Sequence, residues 1–376
     1  MPVYIRGVGL TKVSEYWKKS IYDLVVEAGL EALDSSGIDP SEIDRIYVAN
    51  ALGQYINRQG HLGAYVADAL GLLNTGAVRV EGTGASGSMA VYLGYKDLLA
   101  GAENILVLGV EKMTDVLPTH VHTARSLAED WSYLTSIGTT FEGLEAILYR
   151  LYMKRYNVDQ EKIAMLSVIS HSHAEGVKHA QFPRKINLES VMRSPIIADP
   201  LHLLEIPAPC DGAAAVVLSK KGNVKIDAVE MSTDEFRVFE REDPLWLDAV
   251  HDSMKKALAN AKLGINEIDF VELYDVSTIL GVLELEAMGF ADKGKGVELI
   301  SEEMIGLNGK IPVNTFGGLK ARGDPMGATA IYQIIEIYKQ LIGEADRSQI
   351  DNAKIGLSLS LGGLGNTAVI SILSRK

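Results

Sequence analysis

The segment from Gly82 to Gly87, which reads GTGASG, has the residue types and spacing of a turn that binds phosphate groups. It follows a short apolar stretch and precedes a helical pattern, which is the context of a dinucleotide-binding motif, and Glu111 closes the next predicted strand. This interpretation would make the protein a nicotinamide-dependent oxidoreductase. A single glycine pattern is weak evidence, so we keep this function as one alternative.

Several side chains in or near this turn could act as nucleophiles. Thr83, Ser86 and Ser88 carry hydroxyl groups, but a hydroxyl needs a base within hydrogen-bonding reach, so capping of the helix start is the better interpretation. Cys210 is the only cysteine, and it precedes the apolar run AAAVVL, where a free cysteine is usually a small buried hydrophobe. A single cysteine also excludes an intramolecular disulfide framework and indicates a reducing compartment, the cytoplasm.

The histidines and the basic residues offer two further kinds of site. His171 and His173 are two positions apart, so on a helix they point to different faces, and no spaced cysteines or carboxylates accompany them; we predict no metal site. Lys178, Arg184 and Lys185 form a basic run in an acidic protein. Such a run suits a ligand that carries phosphate groups. A solvated loop is the alternative.

Composition and charge exclude several classes of protein. The 376 residues include 36 Lys and Arg against 49 Asp and Glu, and the formal net charge of −13 argues against a nucleic-acid partner. Residues 355–374 carry no charge over twenty positions, the length of a membrane span. Glycines cluster in their middle, so we predict two buried strands around a glycine-rich turn. We predict neither a membrane span nor a secretory signal.

Short apolar runs alternate with helical patterns, which predicts an α/β fold. Residues Ala32–Asp44 resemble Ala257–Asp269 at a shift of 225 positions, and both read helix, turn, Glu-Ile-Asp, strand. Residues Gly87–Tyr92 resemble Gly327–Tyr332 at a shift of about 240. These repeats predict two similar halves, residues 1–220 and 221–376. The first half includes an inserted segment at about 115–206 that is rich in Tyr, His, Arg and Lys.

Together these stretches resemble the thiolase superfamily, and within it the branch of archaeal and sterol-carrier-protein-type thiolases. The resemblance covers almost the whole chain and rests on GTGASGSMAVYLGYKDLLAG, GVEKMTD, CDGAAAVVL, VELYDVST, VNTFGGLKARGDPMGATA and SLGGLGNTAVISIL. It implies two duplicated βαβαβ-type halves that form a layered αβαβα sandwich. It also implies acyl transfer between coenzyme A thioesters by a cysteine at a helix N-terminus.

The family's catalytic side chains are replaced at every matching position. The turn that carries the nucleophile, Cys-Ala-Ser-Gly in the family, begins here with Gly84. The histidine of the Gly-His-Pro motif is Asp324, and the first residue of the Asn-Glu-Ala-Phe or His-Asp-Ala-Phe motif is Tyr274. The polar or thiol position before x-Gly-Gly is Ser360, and Leu359 stands where an alternative histidine would be.

The resemblance implies that a backbone oxyanion hole survives, formed by the N–H groups of Gly84 and Gly362, because a glycine supplies an N–H as well as any residue does. Tyr274, Asp324 and Ser360 should converge, either as a hydrogen-bonded plug or with the aspartate as a general acid. The favoured function is a thiolase-like protein that does not perform cysteine-dependent thiolysis or condensation and keeps an acyl-coenzyme A groove or a scaffolding role. The alternative is an acetyl-CoA C-acyltransferase that acts through other residues or in a complex.

The resemblance also implies partners. A homodimer or a dimer of dimers is expected, formed through strands at the join of the two halves. A protein with zinc and an OB-fold and a hydroxymethylglutaryl-CoA synthase-like protein are the expected companions. No cofactor is required, although coenzyme A or an acyl-CoA is an expected ligand, with Lys178, Arg184 and Lys185 as the expected contacts for its phosphates.

Overall fold

The computed structural model describes residues 2–376. The strands in this range are β1 (Val3–Leu10), β2 (Arg45–Ala49), β3 (Gly76–Val80), β4 (Asn104–Lys112), β5 (Ile196–Ala198), β6 (Leu201–His202), β7 (Asp211–Ser219), β8 (Val224–Thr233), β9 (Phe270–Glu272), β10 (Ile355–Gly362) and β11 (Thr367–Arg375). The helices are α1 (Ile21–Ser36), α2 (Gly53–Ile56), α3 (Leu62–Ala69), α4 (Ser86–Leu99), α5 (Pro118–Arg125), α6 (Phe141–Tyr156), α7 (Gln160–His173), α8 (Leu188–Arg193), α9 (Asp248–Ala261), α10 (Thr278–Met288), α11 (Glu302–Ile305), α12 (Gly318–Ala321) and α13 (Thr329–Ile342).

Nine of the described strands form one sheet, in the order β3-β2-β4-β7-β1-β8-β11-β10-β9. The two halves of this sheet meet where β1 pairs with β8, from Val3–Ile226 to Ile5–Val224. Each of these strands also has a second partner, β7 for β1 and β11 for β8. The strands at the join pair with each other over only three residues each, so most of β1 and of β8 has a strand partner on one side alone. The expectation that these strands form a dimer stays a prediction. The ends of the sheet in the described range are β3 and β9.

The helices form three layers with the two halves of the sheet between them. α4 and α13 pack against strands of both halves, so they form the central layer. α1 lies against β1, β4 and β7 on one outer face, and α9 lies against β8 and β11 on the other. Every residue of β4 and of β7 is buried, as expected for strands that helices cover on both faces. The predicted αβαβα sandwich is confirmed.

The repeated elements predicted from the sequence are present. α1 and α9 each lead through a 3₁₀ turn, Pro40–Glu42 and Ile265–Glu267, into β2 and β9, in agreement with the shift of 225. The second pair needs a correction. The 3₁₀ turns before α4 and α13 are Thr83–Ala85 and Met326–Ala328, so the shift is 243 rather than about 240. A three-residue error is close to one helical turn, which preserves most of the apolar pattern.

The segment between β4 and β7 contains α5 to α8 and the hairpin of β5 and β6, although β4 and β7 pair directly with each other. These elements lie between two strands that are neighbours in the sheet, and the bounds of the predicted insertion stay a prediction. The uncharged stretch near the C-terminus forms β10 and β11 around a glycine-rich turn, which confirms that prediction. In residues 2–376 no helix has the length and apolar character needed to cross a bilayer.

Candidate functional site

Gly84 lies in a 3₁₀ turn, Thr83–Ala85, that leads directly into α4. Thr83 has a left-handed φ of 51°. The hydroxyl of Ser86 accepts a hydrogen bond from the N–H of Gly82 (3.0 Å) and donates one to the carbonyl of Thr83 (2.6 Å). This hydroxyl therefore fixes the turn at the N-terminus of the helix.

The ring of Tyr274 occupies the space in which a side chain at position 84 would lie. A Cβ atom placed on Gly84 would be 2.0 Å from Tyr274 Oη, 2.2 Å from Tyr274 Cζ and 2.6 Å from the carbonyl oxygen of Leu361. Non-bonded heavy atoms prefer separations of about 3.5–4.0 Å. A cysteine at position 84 and the observed tyrosine ring therefore exclude each other.

Tyr274 and Asp324 meet, as the resemblance implied. The tyrosine hydroxyl donates to Asp324 Oδ1 over 3.4 Å, and the hydroxyl of Thr329 donates to the same oxygen over 2.6 Å. The other oxygen, Oδ2, lies 4.0 Å from a guanidinium nitrogen of Arg125. Burial, followed by the charge of Asp324, raises the pKa of Tyr274 well above its usual value, so the phenol is neutral.

These groups surround a chamber beside Gly84 with a free volume of about 10 Å³, which is room for about one water molecule. Its walls are Thr83, Gly84, Arg125, Ala128, Phe141, Tyr274, Val276, Met326, Leu361 and Gly363. An open cleft of about 610 Å³ shares Thr83, Ala128 and Met326 with it. A ligand in the cleft could enter the chamber only if a wall side chain moved.

Ser360 does not join Tyr274 and Asp324. Its hydroxyl donates to Gln333 Oε1 (2.9 Å) and accepts from Ser88 (2.9 Å), and all three residues are fully buried. Gln333 in turn donates to the carbonyl of Leu273 (2.7 Å), which ties α13 to the segment that follows β9. The predicted convergence is therefore found for Tyr274 and Asp324 but not for Ser360.

The backbone segments predicted to form the oxyanion hole lie next to each other. A Cβ atom on Gly362 would lie 2.8 Å from the carbonyl of Gly82, so the end of β10 touches the turn that contains Gly84. The N–H of Gly363 donates to Thr83 Oγ1 over 2.9 Å, which fixes the two segments together. The oxyanion-binding role itself stays a prediction.

Cys210 is fully buried and is not part of the chamber wall. Burial is the main cause that raises the pKa of its thiol well above the usual value, and the nearby carboxylates of Asp324 and Asp211 raise the pKa further. Only a thiolate attacks readily, so this cysteine is not a substitute nucleophile.

Glu111 is the acidic residue that would bind the ribose if the glycine-rich turn bound a dinucleotide. Its carboxylate already accepts hydrogen bonds from groups of this chain. Oε1 accepts from Asn50 Nδ2 and from the N–H of Leu52, both over 2.9 Å, and Oε2 accepts from the N–H groups of Ala51 (2.8 Å) and Gly327 (3.1 Å). Burial raises its pKa to about 7 despite these bonds. A ribose would find no free acceptor here.

The basic run does not form one patch. Lys178 pairs with Asp346 over 3.2 Å, and Lys185 pairs with Glu175 over 2.9 Å. Arg184 instead lies beside an apolar pocket of about 280 Å³. The walls of that pocket are His171, Phe182, Arg184, Ile186, Leu203, Leu204, Ile206, Ala208 and Lys320.

The two histidines of α7 have separate environments, as their spacing predicted. His171 Nδ1 donates to the carbonyl of Arg184 over 3.1 Å, whereas His173 Nδ1 donates to that of Val313 over 3.0 Å. Burial lowers the pKa of both, so both are neutral. Across residues 2–376 no group of three or more potential ligands could hold a metal ion.

Sequence reasoning missed Arg125. It is the last residue of α5 and only 6% exposed, and its guanidinium group is part of the chamber wall. It lies in the inserted segment, and nothing in its neighbourhood, THVHTAR, distinguishes it from a surface arginine. The only signal was that an insertion on a rigid scaffold tends to carry binding groups.

The buried carboxyl group of Glu145 in α6 should make the free energy of unfolding depend on pH. Burial raises its pKa from 4.5 to about 8. In the unfolded chain the carboxyl group of Glu145 loses its proton near pH 4.5. The contribution of the protonated group to the free energy of unfolding is therefore fully present below pH 4.5, and it decreases as the pH rises to about 8. Between these limits Glu145→Gln should gain about 3–5 kcal/mol in unfolding free energy relative to the wild type.

Chemical denaturation at a series of pH values measures this relative gain, and any constant cost of the amide cancels in the slope. The exposed residue Glu161 provides the matched control, since Glu161→Gln should track the wild type at every pH. Parallel stability curves for Glu145→Gln and the wild type would contradict the expectation.

Two family models match the chain. One, described as the N-terminal domain of thiolase, matches residues 7–222, and the other, described as thiolase C-terminal domain-like, matches residues 231–375. An acetyl-CoA acetyltransferase from Methanothermobacter thermautotrophicus is 37% identical over 382 residues, which is 99% of each chain. Human sterol carrier protein 2 is 28% identical, over 98% of this chain and 71% of its own length.

Solved structures with the same fold include two under 25% identity. One is titled "Ltp2-ChsH2(DUF35) aldolase", with a TM-score of 0.86 and 22% identity over 100% of this chain and 98% of that one. The other is the Acat5 thiolase of Ascaris suum in complex with coenzyme A, with a TM-score of 0.73 and 16% identity over 100% of each chain. Both establish the architecture described above.

Proposed function

Because the chain belongs to the thiolase family, in the branch of archaeal acetyl-CoA acetyltransferases and sterol carrier protein 2, we propose that it binds acyl-coenzyme A thioesters without carrying the acyl group itself. One observation carries this proposal. The position of the family's nucleophile is Gly84, and the ring of Tyr274 fills the volume that the nucleophile would need. No acyl-enzyme can form at that position.

The other residues with nucleophilic atoms support the same proposal. Cys210 is buried with a raised pKa, and the hydroxyls of Ser86 and Ser360 are bonded within the chain. Arg184 beside the apolar pocket offers a charge for a phosphate group and a surface for an apolar arm of coenzyme A. Lys178 and Lys185 are each paired with a carboxylate, so they are less available to bind a phosphate group.

Acetyl-CoA should raise the melting temperature without modifying the protein. At a ligand concentration of about 100 times Kd, binding to the folded state should raise the melting temperature by about 3 °C. The intact mass should show no acetyl adduct after incubation. NADH is the matched control ligand, and it should leave the melting temperature unchanged.

An acetyl adduct would overturn the non-covalent proposal. A shift with NADH and none with acetyl-CoA or coenzyme A would favour the oxidoreductase alternative instead. Absence of any shift with coenzyme A ligands would leave a scaffolding role as the better proposal.

A second candidate is catalysis through residues other than the family's, as an acyltransferase or in carbon–carbon bond chemistry of the aldolase type. The contact between the Tyr274 hydroxyl and Asp324 beside Gly84 favours it, because it places a proton donor and a carboxylate at the family's reaction site. The neighbour titled as an aldolase shares this fold. Sustained turnover of acetoacetyl-CoA with coenzyme A, abolished by Asp324→Asn, would establish a catalytic role.

We propose further that the protein is a homodimer or a dimer of dimers and acts in the cytoplasm, with residues 1–220 and 221–376 as its two domains. β3 is the better dimer edge, because its Val78 is 55% exposed, whereas all three residues of β9 are buried. A small protein with zinc and an OB-fold and a hydroxymethylglutaryl-CoA synthase-like protein remain the proposed companions. The aldolase neighbour, whose title names a DUF35 protein, supports a companion of some kind.

A further inference from the structure

We propose that Arg125 binds the thioester carbonyl oxygen of the ligand. This proposal rests on the proposed function, since it requires that an acyl-coenzyme A reach the chamber beside Gly84. It names a residue outside the four replaced positions as the group that distinguishes an acylated ligand from one without a carbonyl. The argument comes from the burial, the partners and the surroundings of the guanidinium group.

The guanidinium group of Arg125 has no hydrogen-bond acceptor among residues 2–376. Its closest carboxylate oxygen is Asp324 Oδ2 at 4.0 Å, which is too long for a hydrogen bond. The guanidinium group lies over the ring of Phe141, 5.9 Å from the ring centroid. The other nearby carboxyl groups, Glu142 and Glu145, influence the arginine only through their charges. The side chain is 8% exposed and borders the chamber, so an oxygen that enters the chamber would supply the missing acceptor.

The charges around Arg125 favour a neutral oxygen over a carboxylate. Asp324 balances its charge, and the buried carboxylate of Glu142 is paired with His122 over 2.8 Å. Burial raises the pKa of Glu145 to about 8, so Glu145 is neutral at pH 7. A second anion in the chamber would carry an uncompensated charge, whereas a carbonyl oxygen would receive a charged hydrogen bond without changing the balance.

The wall of the chamber, whose free volume is about 10 Å³, indicates how a ligand could enter. No hydrogen bond within the chain engages the guanidinium group, so its N–H groups are available to an oxygen that enters the chamber. The open cleft already reaches Thr83, Ala128 and Met326 of the chamber wall, and Met326 has a flexible, unbranched side chain. Tyr274, whose hydroxyl donates to Asp324, is also part of the chamber wall.

Two ligands that differ only in the carbonyl oxygen test the proposal. Acetyl-CoA and S-ethyl-CoA, its thioether analogue, have the same shape, and isothermal titration measures both dissociation constants. The wild type should bind acetyl-CoA about 10- to 100-fold more tightly, the effect of a charged hydrogen bond. Arg125→Met should bring this ratio close to one while the affinity for S-ethyl-CoA changes little.

The matched control is Arg155→Met, which removes an arginine that pairs with Asp243 on the surface and should leave the ratio unchanged. Equal binding of the two ligands to the wild type, or an unchanged ratio in Arg125→Met, would overturn the role of Arg125 while leaving the proposed function intact. Failure of both ligands to bind the wild type would overturn both proposals.

A second measurement is spectroscopic and keeps the proposal testable if Arg125→Met is unstable. A hydrogen bond from a cation lowers the stretching frequency of a carbonyl group, so the infrared band of acetyl-CoA labelled with ¹³C at the thioester carbonyl reports the contact directly. This band should shift to lower frequency on binding to the wild type, and the conservative variant Arg125→Lys should keep part of the shift. A band at the frequency of free acetyl-CoA would contradict the proposal.

Discussion

The double variant Gly84→Cys with Tyr274→Asn should regain an acylatable thiol, and the single variant Gly84→Cys should not. In the single variant the new Cβ atom would lie 2.0 Å from Tyr274 Oη, so either the ring or the turn must be displaced. In the double variant the ring is gone, and a small shift of the turn away from the carbonyl oxygen of Leu361 is enough to make room for the new Cβ atom. The thiol then lies at the N-terminus of α4, where the helix dipole lowers a thiol pKa.

Alkylation by iodoacetamide, measured in a Cys210→Ala background, compares the two thiols directly. The double variant should react at least about tenfold faster than the single variant, and it should also form an acetyl adduct with acetyl-CoA, seen as an increase in intact mass. Equal rates in the single and double variants would show that Tyr274 does not control access to position 84.

The second large effect is expected at Asp211, the aspartate of the CDGAAA stretch. Its carboxylate is fully buried and accepts from the N–H groups of Met113 (2.7 Å) and Thr114 (2.9 Å), from the N–H of Tyr16 (2.9 Å) and from Lys112 Nζ (2.8 Å). Asp211→Ala leaves the buried Lys112 without this partner. It should lower the free energy of unfolding by about 3–5 kcal/mol.

Urea denaturation at 25 °C measures this loss. Asp252→Ala, at an exposed position of α9, is the control and should change stability by less than about 0.5 kcal/mol. A loss below about 1 kcal/mol for Asp211→Ala would show that the segment before β7 does not depend on this carboxylate.

The architecture was predictable because it depends on patterns that recur along the chain. The 225-residue repeat identified α1 with α9 and β2 with β9, and the glycine cluster near the C-terminus separated β10 from β11. The error in the second repeat, 240 instead of 243, arose because helical patterns shifted by about one turn look alike. The assigned domain boundary at residue 220 stays a prediction.

The site was only partly predictable, because it depends on contacts between distant segments. Motifs predicted that Gly84, Tyr274 and Asp324 occupy the family's catalytic positions, and these three residues lie close together in the fold. The direction of the Ser360 side chain could not be predicted, since it depends on Gln333 of a different element. Nor could the role of Arg125, because only the folded insertion brings it to the chamber.

The overlap between the Tyr274 ring and the space above Gly84 also makes the two positions interdependent. A side chain at position 84 and the ring in its present place exclude each other, so the effect of a substitution at one position depends on the residue at the other. A cysteine introduced alone at position 84 would meet an occupied volume, so free energies measured for the two single variants should not add up to that of the double variant.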